Sequence, residues 1–335
     1  MSKVHSYRGG PTVTIHQSHR GSNTDPPKPK PVFFVYRPHQ GKEQAYVKAL
    51  KSAGYRPSLV ERMRLKFVLF DIDCYRRKPI VERYIKRGVP VFLYPHTARP
   101  QIGWDGIWEG VPEISCNFVI APGHEEVMRR YGYEPPIEVT GWTFCPIKPF
   151  EPVKEVKHIL FGPMHPGVSG HQPQIDIETN QKTFARLLEY CKDTGAQLTV
   201  RHIKKLEMSG LHHVAGVEYV MGMPNLAIKE IDAADLVIGH QTFGYLAVAR
   251  GKPVLMMGED IPPHSIGLDH STLYVKSWEK YADIMMYPLD ALSEDIGTMV
   301  DKARHRSAAV TTWRKQFIGE QFIPEYFVER LKSYL

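Results

Sequence analysis

The sequence predicts an α/β protein of two doubly wound domains, each with a parallel sheet covered by helices on both faces. Three observations support this prediction. The chain has 335 residues, which is enough for two domains at roughly 150 residues each. Short apolar runs alternate with amphipathic helical segments, as is typical of parallel strands that are buried on both faces. The alternation stops once, at a proline-rich stretch near the middle of the chain, and then resumes.

Residues 1–31 are predicted to form a tail that precedes the first strand. They are rich in Gly, Pro, Ser, Thr and His and end in a proline-rich run, Asp25–Pro31. Proline lacks a backbone donor and restricts the residue before it, so we expect an extended segment. The tail has five Lys and Arg residues against one Asp, which gives it +4 of the chain's net charge of +7.

The first domain is predicted to span residues 32–144. Its strands are short apolar runs, and helical segments separate most of them. The predicted strands are Val32–Tyr36, Phe67–Phe70, Val89–Tyr94, Asn117–Ala121 and Ile137–Thr140, and the predicted helices are Glu43–Ser52, Pro79–Arg87 and Glu125–Tyr131. Gly88 and Gly132 follow the last two helices, a usual position for glycine after a helix.

A linker is predicted at residues 145–155, because Pro146, Pro149 and Pro152 cannot continue a helix or a central strand. The second domain is predicted to span residues 156–335, with its C-terminal helices packing back. Its predicted strands are His158–Phe161, Gln197–Arg201, Val217–Val220, Leu236–Ile238, Pro253–Met257 and Tyr274–Val275, and its predicted helices are Gln181–Asp193, Ile228–Ala234, Phe243–Arg250, Ala291–Phe317 and Pro324–Leu335.

The composition excludes several classes of protein. With 42% hydrophobic and 24% charged residues, the chain is typical of globular proteins rather than of disordered or collagen-like ones. No apolar stretch approaches the roughly 18 residues of a membrane span, and the start lacks the apolar run of a signal peptide. The four cysteines form no CxxC pair, which favours free thiols over a zinc site or disulfides. We therefore expect a cytoplasmic protein without integral membrane contact.

The most informative segment is Ile231–Pro263. A strand ends near Gly239, a short polar turn follows, and a helix begins directly after it. Free backbone N–H groups and the helix dipole make such a turn an anion site. An ordinary turn capped by Thr242 is the alternative. The residues expected to bind a diphosphate here are Gly239, His240, Gln241, Thr242 and Gly244.

The stretch ADLVIGHQTFGYLAVARGKPVL resembles the nucleotide-sugar signature in the C-terminal domain of GT-B-fold glycosyltransferases. That group includes the UDP-N-acetylglucosamine 2-epimerase-like and CDP-glycerol glycerophosphotransferase-like families. The resemblance implies the GT-B fold, in which two Rossmann-like domains face one cleft and the second binds the donor. Those families usually have an acidic residue, which holds the ribose, where this chain has Leu246. The ribose contact would then come from Gln241 or Glu259, or the donor differs.

A second candidate donor loop is Phe161–His171. Similar loops in GT-B enzymes lie against the donor phosphates, which implies donor contacts for Gly162, Gly167 and Ser169. His165 could donate a hydrogen bond or a proton to the departing diphosphate. A hinge-side loop without a ligand is the alternative. Glu259 is expected where GT-B enzymes often hold the hydroxyls of the donor sugar.

His96 and Asp73 are rival candidates for the base that deprotonates the acceptor. Each follows a predicted strand of the first domain at its carboxyl end, and a histidine near its ordinary pKa suits a general base at neutral pH. Asp is a common base among inverting GT-B enzymes. Trp104 and Asp105 lie on a predicted acceptor loop.

These observations predict a glycosyltransferase that moves a sugar from a nucleotide sugar to a hydroxyl acceptor. The basic tail allows a nucleic-acid acceptor, such as a hydroxylated base flipped out of DNA. Some DNA-modifying glucosyltransferases of phages share the GT-B fold. The nucleotide sugar would be a co-substrate, with no further cofactor and no metal. A nucleotide-sugar epimerase or hydrolase, a polyol-phosphate transferase, and a non-catalytic nucleotide- or nucleic-acid-binding protein remain as alternatives.

Overall fold

The computed structural model describes most of the chain from residue 31 onward. The described ranges are 31–36, 44–58, 65–71, 78–95, 113–130, 133–166, 173–203, 205–222, 227–240, 242–257, 285–286, 296–305 and 314–335.

Six parallel strands form the first sheet, in the order β2-β1-β3-β4-β5-β6. The strands are β1 (Val32–Tyr36), β2 (Arg56–Ser58), β3 (Phe67–Asp71), β4 (Val91–Tyr94), β5 (Cys116–Val119) and β6 (Ile137–Val139). Three described helices connect them, namely α1 (Gln44–Ser52), α2 (Lys78–Lys86) and α3 (Pro122–Arg130).

Consecutive residues of a strand point to opposite faces of the sheet, and both faces of this sheet are buried. In β3, Phe67 and Leu69 belong to one apolar cluster, whereas Val68 and Phe70 belong to another. Parallel sheets need such cover on both sides, and the short apolar runs in the sequence reflect it.

The first of these clusters contains one phenylalanine from each of four neighbouring strands. Their ring centroids lie 5.2, 5.6 and 5.7 Å apart across the sheet, in the order Phe33, Phe67, Phe92 and Phe118. We call these four residues the aromatic ladder. Contacts at this spacing stabilise beyond the area that the rings bury.

Six more parallel strands form the second sheet, in the order β12-β11-β10-β7-β8-β9. The strands are β7 (His158–Gly162), β8 (Gln197–His202), β9 (Glu218–Met221), β10 (Leu236–His240), β11 (Val254–Met257) and β12 (Met285–Met286). The described helices of this half are α4 (Pro173–Thr194), α5 (Ile228–Ala233), α6 (Thr242–Ala249) and α7 (Ile296–His305). Read from β9 to β12, this is the strand order of a Rossmann fold. The predicted α/β class with parallel sheets is therefore confirmed.

The last described helix, α8 (Pro324–Lys332), packs on the first sheet. Its buried residues Phe327, Val328 and Leu331 belong to the same cluster as the aromatic ladder. The Phe327 ring lies edge-on to Phe118, with 4.9 Å between centroids. The Arg330 guanidinium forms an ion pair with Glu138, the middle residue of β6.

Two stretches of chain run side by side near Trp142 and Gln321. The Trp142 N–H donates to the carbonyl of Glu320 at 2.8 Å, and the Phe322 N–H donates to the carbonyl of Trp142 at 3.1 Å. Gly141 has a positive φ of 98°, and a Cβ there would lie 2.9 Å from the backbone of Gln321. Glycine is required at this position by both its conformation and the close approach.

The proline-rich stretch after Cys145 packs against the second sheet. The Lys148 N–H donates to the carbonyl of Ala249 at 2.8 Å, and the Glu151 N–H donates to that of Gly251 at 3.2 Å. Hydrogen bonds thus join this stretch to the turn between α6 and β11.

Several predicted elements differ from the structure in position or extent. Helix α4 begins at Pro173, whereas the sequence predicted its start at Gln181. The prediction missed the first turns because they bury polar side chains, among them Asp176 and Asn180, which interrupt the apolar pattern. Strand β2 was not predicted, since it has only three residues and includes Pro57. The predicted strand Tyr274–Val275 lies outside the described residues. Among the described helices, none is both long and apolar enough to cross a bilayer.

Candidate functional site

The second sheet has a topological switch point between β7 and β10. Strands β8 and β9 are added on one side of this pair, and β11 and β12 on the other. In open α/β sheets, ligands bind outside the carboxyl ends of the strands at such a point. The loop after β7 and the turn between β10 and α6 both leave the sheet there.

Two of the predicted donor residues are direct neighbours at the switch point. Gly162 ends β7 and is the Cα partner of Gly239 in β10. The ring of Phe243, in the first turn of α6, lies over both. A Cβ on Gly162 would lie 2.6 Å from this ring, and a Cβ on Gly239 would overlap it as well. The two glycines therefore let α6 approach the sheet closely. We call Gly162, Gly239 and Phe243 the glycine joint.

Helix α6 is buried around its whole circumference, which agrees with its apolar sequence. Leu246 is fully buried and packs in the cluster that includes Val237 and Val254 of the neighbouring strands. A leucine at this position therefore serves the apolar core, and a carboxylate there would be buried among apolar side chains.

An ion-pair network fixes the C-terminal end of α6. The Arg250 guanidinium donates to both carboxylate oxygens of Asp232, at 2.8 and 2.6 Å, and to the carbonyl of Pro146 at 2.6 Å. The hydrogen bonds from Arg250 hold the pKa of Asp232 below its ordinary value. Lys252 donates from the other side to the carbonyls of Asp232 and Ala234, at 2.7 and 2.8 Å. The helix is held in place from the end opposite the turn.

The loop after β7 is held by one buried side chain. Asn180 on α4 accepts a hydrogen bond from the Met164 N–H at 2.8 Å and donates one to the Met164 carbonyl at 2.8 Å. It also donates to the carbonyl of Ser209 at 3.1 Å. Every polar group of this amide except one lone pair is thereby used. The residue that follows Met164 is His165.

His165 keeps one ring nitrogen uncommitted. Its Nδ1 lies 3.1 Å from the carbonyl of Pro166, whereas its Nε2 is buried and has no hydrogen-bond partner among the described residues. A buried polar atom without a partner is uncommon in native proteins and calls for an explanation such as a catalytic role or an absent ligand.

Arg201 and His202, at the end of β8, are two polar residues that the sequence analysis did not select. Both are buried, and the Arg201 side chain is only 5% exposed. Arg201 donates to Glu230 at 2.7 Å, and a Cβ on Gly222 would approach its guanidinium to 2.7 Å. Two basic residues in succession at a strand's carboxyl end were the available signal. They end a strand next to β7, at the same edge as His165.

Comparison with solved structures gives the same architecture. The structure is similar to that of Acinetobacter baumannii MurG, with a TM-score of 0.52, 14% identity, and coverage of 91% of this chain and 100% of the other. The S. aureus MnaA–UDP complex gives a TM-score of 0.54, 13% identity, and coverage of 91% and 96%. The spinosyn rhamnosyltransferase SpnG with thymidine diphosphate gives 0.53, 13%, and coverage of 90% and 100%. The chain has the GT-B fold. No protein-family model matches the chain, and no curated protein matches it in sequence.

Part of the predicted donor set lies in the described segments, and within it Gly162 and Gly239 are direct neighbours. Gly162, His165, Gly239 and Gly244 lie in described segments, as do the backbones of His240 and Thr242. The predicted site residues outside the described residues are Asp73, His96, Trp104, Asp105, Gly167, Ser169, Gln241 and Glu259. Among the residues that the structure describes, no three His, Cys, Asp or Glu side chains are grouped to hold a metal ion.

The two rival bases follow neighbouring strand ends of the first GT-B sheet. Asp71 ends β3 and Tyr94 ends β4, and these two residues are Cα partners. Asp73 and His96 each follow one of these partners by two positions in the sequence. The choice between the two bases stays a prediction.

Proposed function

We propose that this chain is a glycosyltransferase that uses a nucleotide-sugar donor. The observation that carries the proposal is the switch point of the second sheet, where the N-terminus of α6 and the loop of His165 meet at one edge of a GT-B fold. Two similar structures are described as complexes with UDP and thymidine diphosphate, and one of these proteins is named a rhamnosyltransferase.

The donor diphosphate would bind at the start of α6. The backbone N–H groups of a helix's first turn have no partner within the helix, so they can bind phosphate oxygens. Gln241, Thr242, Gly167 and Ser169 would add contacts around the diphosphate, and Glu259 would hold the sugar. The Nδ1–H of His165 already donates to the carbonyl of Pro166, so a doubly protonated ring would be needed for its buried Nε2 to donate a hydrogen bond to the leaving group.

Transfer would proceed by one displacement at the anomeric carbon. The acceptor oxygen forms a bond to this carbon while the bond from the carbon to the diphosphate oxygen breaks, and the electron pair leaves with the diphosphate. Asp73 or His96 takes the acceptor proton, and Trp104 and Asp105 position the acceptor. Closure of the two halves would exclude water, which would otherwise compete with the acceptor. No further cofactor or metal is part of this proposal.

The acceptor in this proposal is a compound with a free hydroxyl group, and a hydroxylated base in DNA is the first to test. The basic tail supports that choice through its net charge of +4. A polyol-phosphate donor in place of a nucleotide sugar would use the same diphosphate site.

The first experiment is a thermal-shift panel of UDP, CDP, GDP, dTDP, ADP and their common sugar conjugates. A ligand at about a hundred times its Kd stabilises by roughly 2.7 kcal/mol, which corresponds to a shift of a few degrees. His165→Gln should weaken binding of the matching diphosphate, whereas the exposed His212→Gln on the same half should not. No shift with any nucleotide would contradict the proposal.

The second experiment separates transfer from other uses of the donor. Incubation with the matching nucleotide sugar and candidate acceptors should release the nucleoside diphosphate only when an acceptor is present. Donor that is consumed or isomerised without an acceptor would instead show a hydrolase or epimerase. Asp73→Asn and His96→Gln should then identify the base, since only the base variant should lose transfer while it keeps donor binding.

A further inference from the structure

The positive charge of the chain is concentrated in one part of the sequence. Residues 32–95 hold 14 Lys and Arg against 5 Asp and Glu, a net charge of +9, whereas residues 96–335 have 24 against 30, a net charge of −6. The overall value of +7 therefore conceals a strongly basic region that contains the strands β1 to β4 of the first sheet.

Four exposed cations of this region lie at one edge of the sheet. Lys51 is in the last turn of α1 and Lys86 ends α2, while Arg56 begins β2 and Lys66 directly precedes β3. Helices that connect parallel strands run antiparallel to them, so their C-terminal ends lie at the amino ends of the strands. All four residues thus lie at the amino-terminal edge of the first sheet. We call them the basic edge.

The strand register gives the basic edge its geometry. Arg56 is the partner of Val32 in β1, and the Lys66 N–H donates to the carbonyl of Val32 at 2.7 Å. Arg56 and Lys66 therefore flank β1 on its two sides, two strand spacings or about 10 Å apart. The Arg56 N–H also donates to the carbonyl of Pro31, the residue directly before β1.

None of the four cations is neutralised by another described residue. Within the described part of the chain, Lys51, Arg56, Lys66 and Lys86 form no ion pair, and their side chains are exposed. A cation in the last turn of a helix complements the helix dipole, which explains Lys51 and Lys86 in part. That explanation does not apply to Arg56 and Lys66, which belong to a strand and to a turn.

We propose that the basic edge binds the phosphate backbone of a nucleic-acid duplex. Phosphates are read by exposed Lys and Arg without any apolar contact. A bilayer-binding surface would add exposed apolar side chains. The large exposed apolar residues among those described are Met208, Met221, Ile323 and Tyr326. None of them belongs to residues 32–95, whereas Ile323 and Tyr326 lie at the start of α8, which packs against α1. The basic edge itself consists of four charged side chains, which favours nucleic acid, and the vesicle measurement below tests the membrane alternative.

This surface is separate from the proposed acceptor site. The predicted bases follow the carboxyl ends of β3 and β4, whereas the basic edge lies at the amino ends. A five-residue strand such as β3 separates the two edges by about 17 Å. The duplex bound here would hold the protein on a polyanion while the cleft remains accessible. The inference does not depend on the proposed donor chemistry.

The test measures binding of the full-length protein to a fluorescently labelled 24-base-pair DNA duplex at several salt concentrations. The variant Lys51→Gln, Arg56→Gln, Lys66→Gln, Lys86→Gln removes the basic edge. The matched control Lys154→Gln, Lys182→Gln, Lys192→Gln, Lys315→Gln removes the same charge from exposed positions elsewhere. If the edge neutralises four phosphates, the wild-type slope of log K against log salt should exceed that of the edge variant by about 3.6.

Raising the salt from 50 to 200 mM should therefore weaken DNA binding by the wild type about 150-fold more than binding by the edge variant. The control variant should keep most of the wild-type affinity and slope. A charge-preserving variant (Lys51→Arg, Arg56→Lys, Lys66→Arg, Lys86→Arg) should bind like the wild type, which shows that charge rather than substitution at these positions is the cause. An unchanged Tm of the Gln variant excludes misfolding. Equal loss in the edge and control variants would overturn the proposal, as would binding to vesicles of 30% phosphatidylserine with none to DNA. Nucleotide-induced thermal shifts should be the same in all variants.

Discussion

The two sheets of this molecule pack against their helices in different ways, the first through large side chains and the second through glycines. The first sheet fills one face with the aromatic ladder, in which four phenylalanine rings from four strands touch in a row. The second sheet removes side chains at the glycine joint, so that Phe243 of α6 covers two strand ends. Bulky rings fix strands to one another but keep a helix at a distance. Paired glycines bring a helix N-terminus to the sheet, which is where an anion can use its N–H groups.

The largest expected effect comes from breaking the aromatic ladder. Phe92 is fully buried and contacts the rings of Phe67 and Phe118. Phe92→Ala should lower the free energy of unfolding by about 3–5 kcal/mol, because it leaves a cavity at the centre of the cluster. Chemical denaturation measures this loss. Nucleotide-induced thermal shifts should persist below the new Tm, and their disappearance would contradict the separation of the two regions.

The second-largest effect is expected from the buried side chain of His124, which should make the free energy of unfolding depend on pH. His124 at the start of α3 is buried, and its Nε2 lies 2.9 Å from the carbonyl of Phe317. Burial lowers the pKa of His124 from 6.5 to about 4. The unfolded chain therefore binds this proton more readily, so the stabilisation is complete above pH 6.5 and is lost as the pH falls towards 4.

The loss should be on the order of 2–3 kcal/mol over that range. Denaturation at pH 4.5, 5.5 and 7.5 measures it. His124→Gln should flatten this part of the pH profile, although it should reduce stability at pH 7.5. A variant with the same pH dependence as the wild type would show that other groups cause it.

A smaller effect is expected from breaking the glycine joint. Gly239→Ala places a methyl group against the Phe243 ring and should cost about 1–3 kcal/mol through overpacking. Unlike Phe92→Ala, it should also abolish the nucleotide-induced thermal shift, because it displaces the start of α6. Gly195→Ala is the matched control for an added methyl group, since a Cβ there meets no atom within 4 Å. Because alanine is strained at the positive φ of 76° of Gly195, the two variants are compared for nucleotide binding and not for stability. Retention of nucleotide binding by Gly239→Ala would contradict this role.

The smallest of these effects on stability is expected at Asn180. Asn180→Ala removes three hydrogen bonds to the backbone of Met164 and Ser209 and should cost about 1–2 kcal/mol. If Asn180 positions the loop of His165, transfer should lose kcat more than it changes KM. Asn180→Asp keeps one acceptor for the Met164 N–H and should recover part of kcat. The control is a variant of the first sheet whose Tm is lowered to that of Asn180→Ala. If both variants lose the same fraction of kcat, Asn180 does not position the loop of His165.

Much of the fold could be predicted from the sequence, because the apolar runs of parallel strands differ clearly from amphipathic helices. The turn before α6 was found in the same way, since a strand, a polar turn and an apolar helix follow one another without interruption. The start of α4 could not be found, because Asp176 and Asn180 are polar residues that the fold buries. Their burial depends on contacts with distant residues such as Met164, which no local pattern contains.

The candidate site was less predictable than the fold. The sequence suggested donor contacts for Gly162 and Gly239, and the structure adds a further reason for glycine at both positions, namely the close approach of the Phe243 ring. Only three-dimensional pairing of β7 with β10 reveals this second reason for glycine. Arg201 and His202 were missed although they are two basic residues in succession at a strand end, because their burial becomes visible only in the structure. The domain limits at residues 144 and 156 and the roles of the site residues stay predictions.

The position of α8 affects how the first sheet folds while the chain is being synthesised. The helix consists of residues from the last part of the chain, yet it covers the aromatic ladder built from residues 33–118. During synthesis, the first sheet therefore emerges from the ribosome long before its cover does. Its phenylalanine-rich face stays exposed to solvent or to a chaperone until residues 324–332 have been synthesised. A chain that lacks these residues would leave one face of its first sheet uncovered.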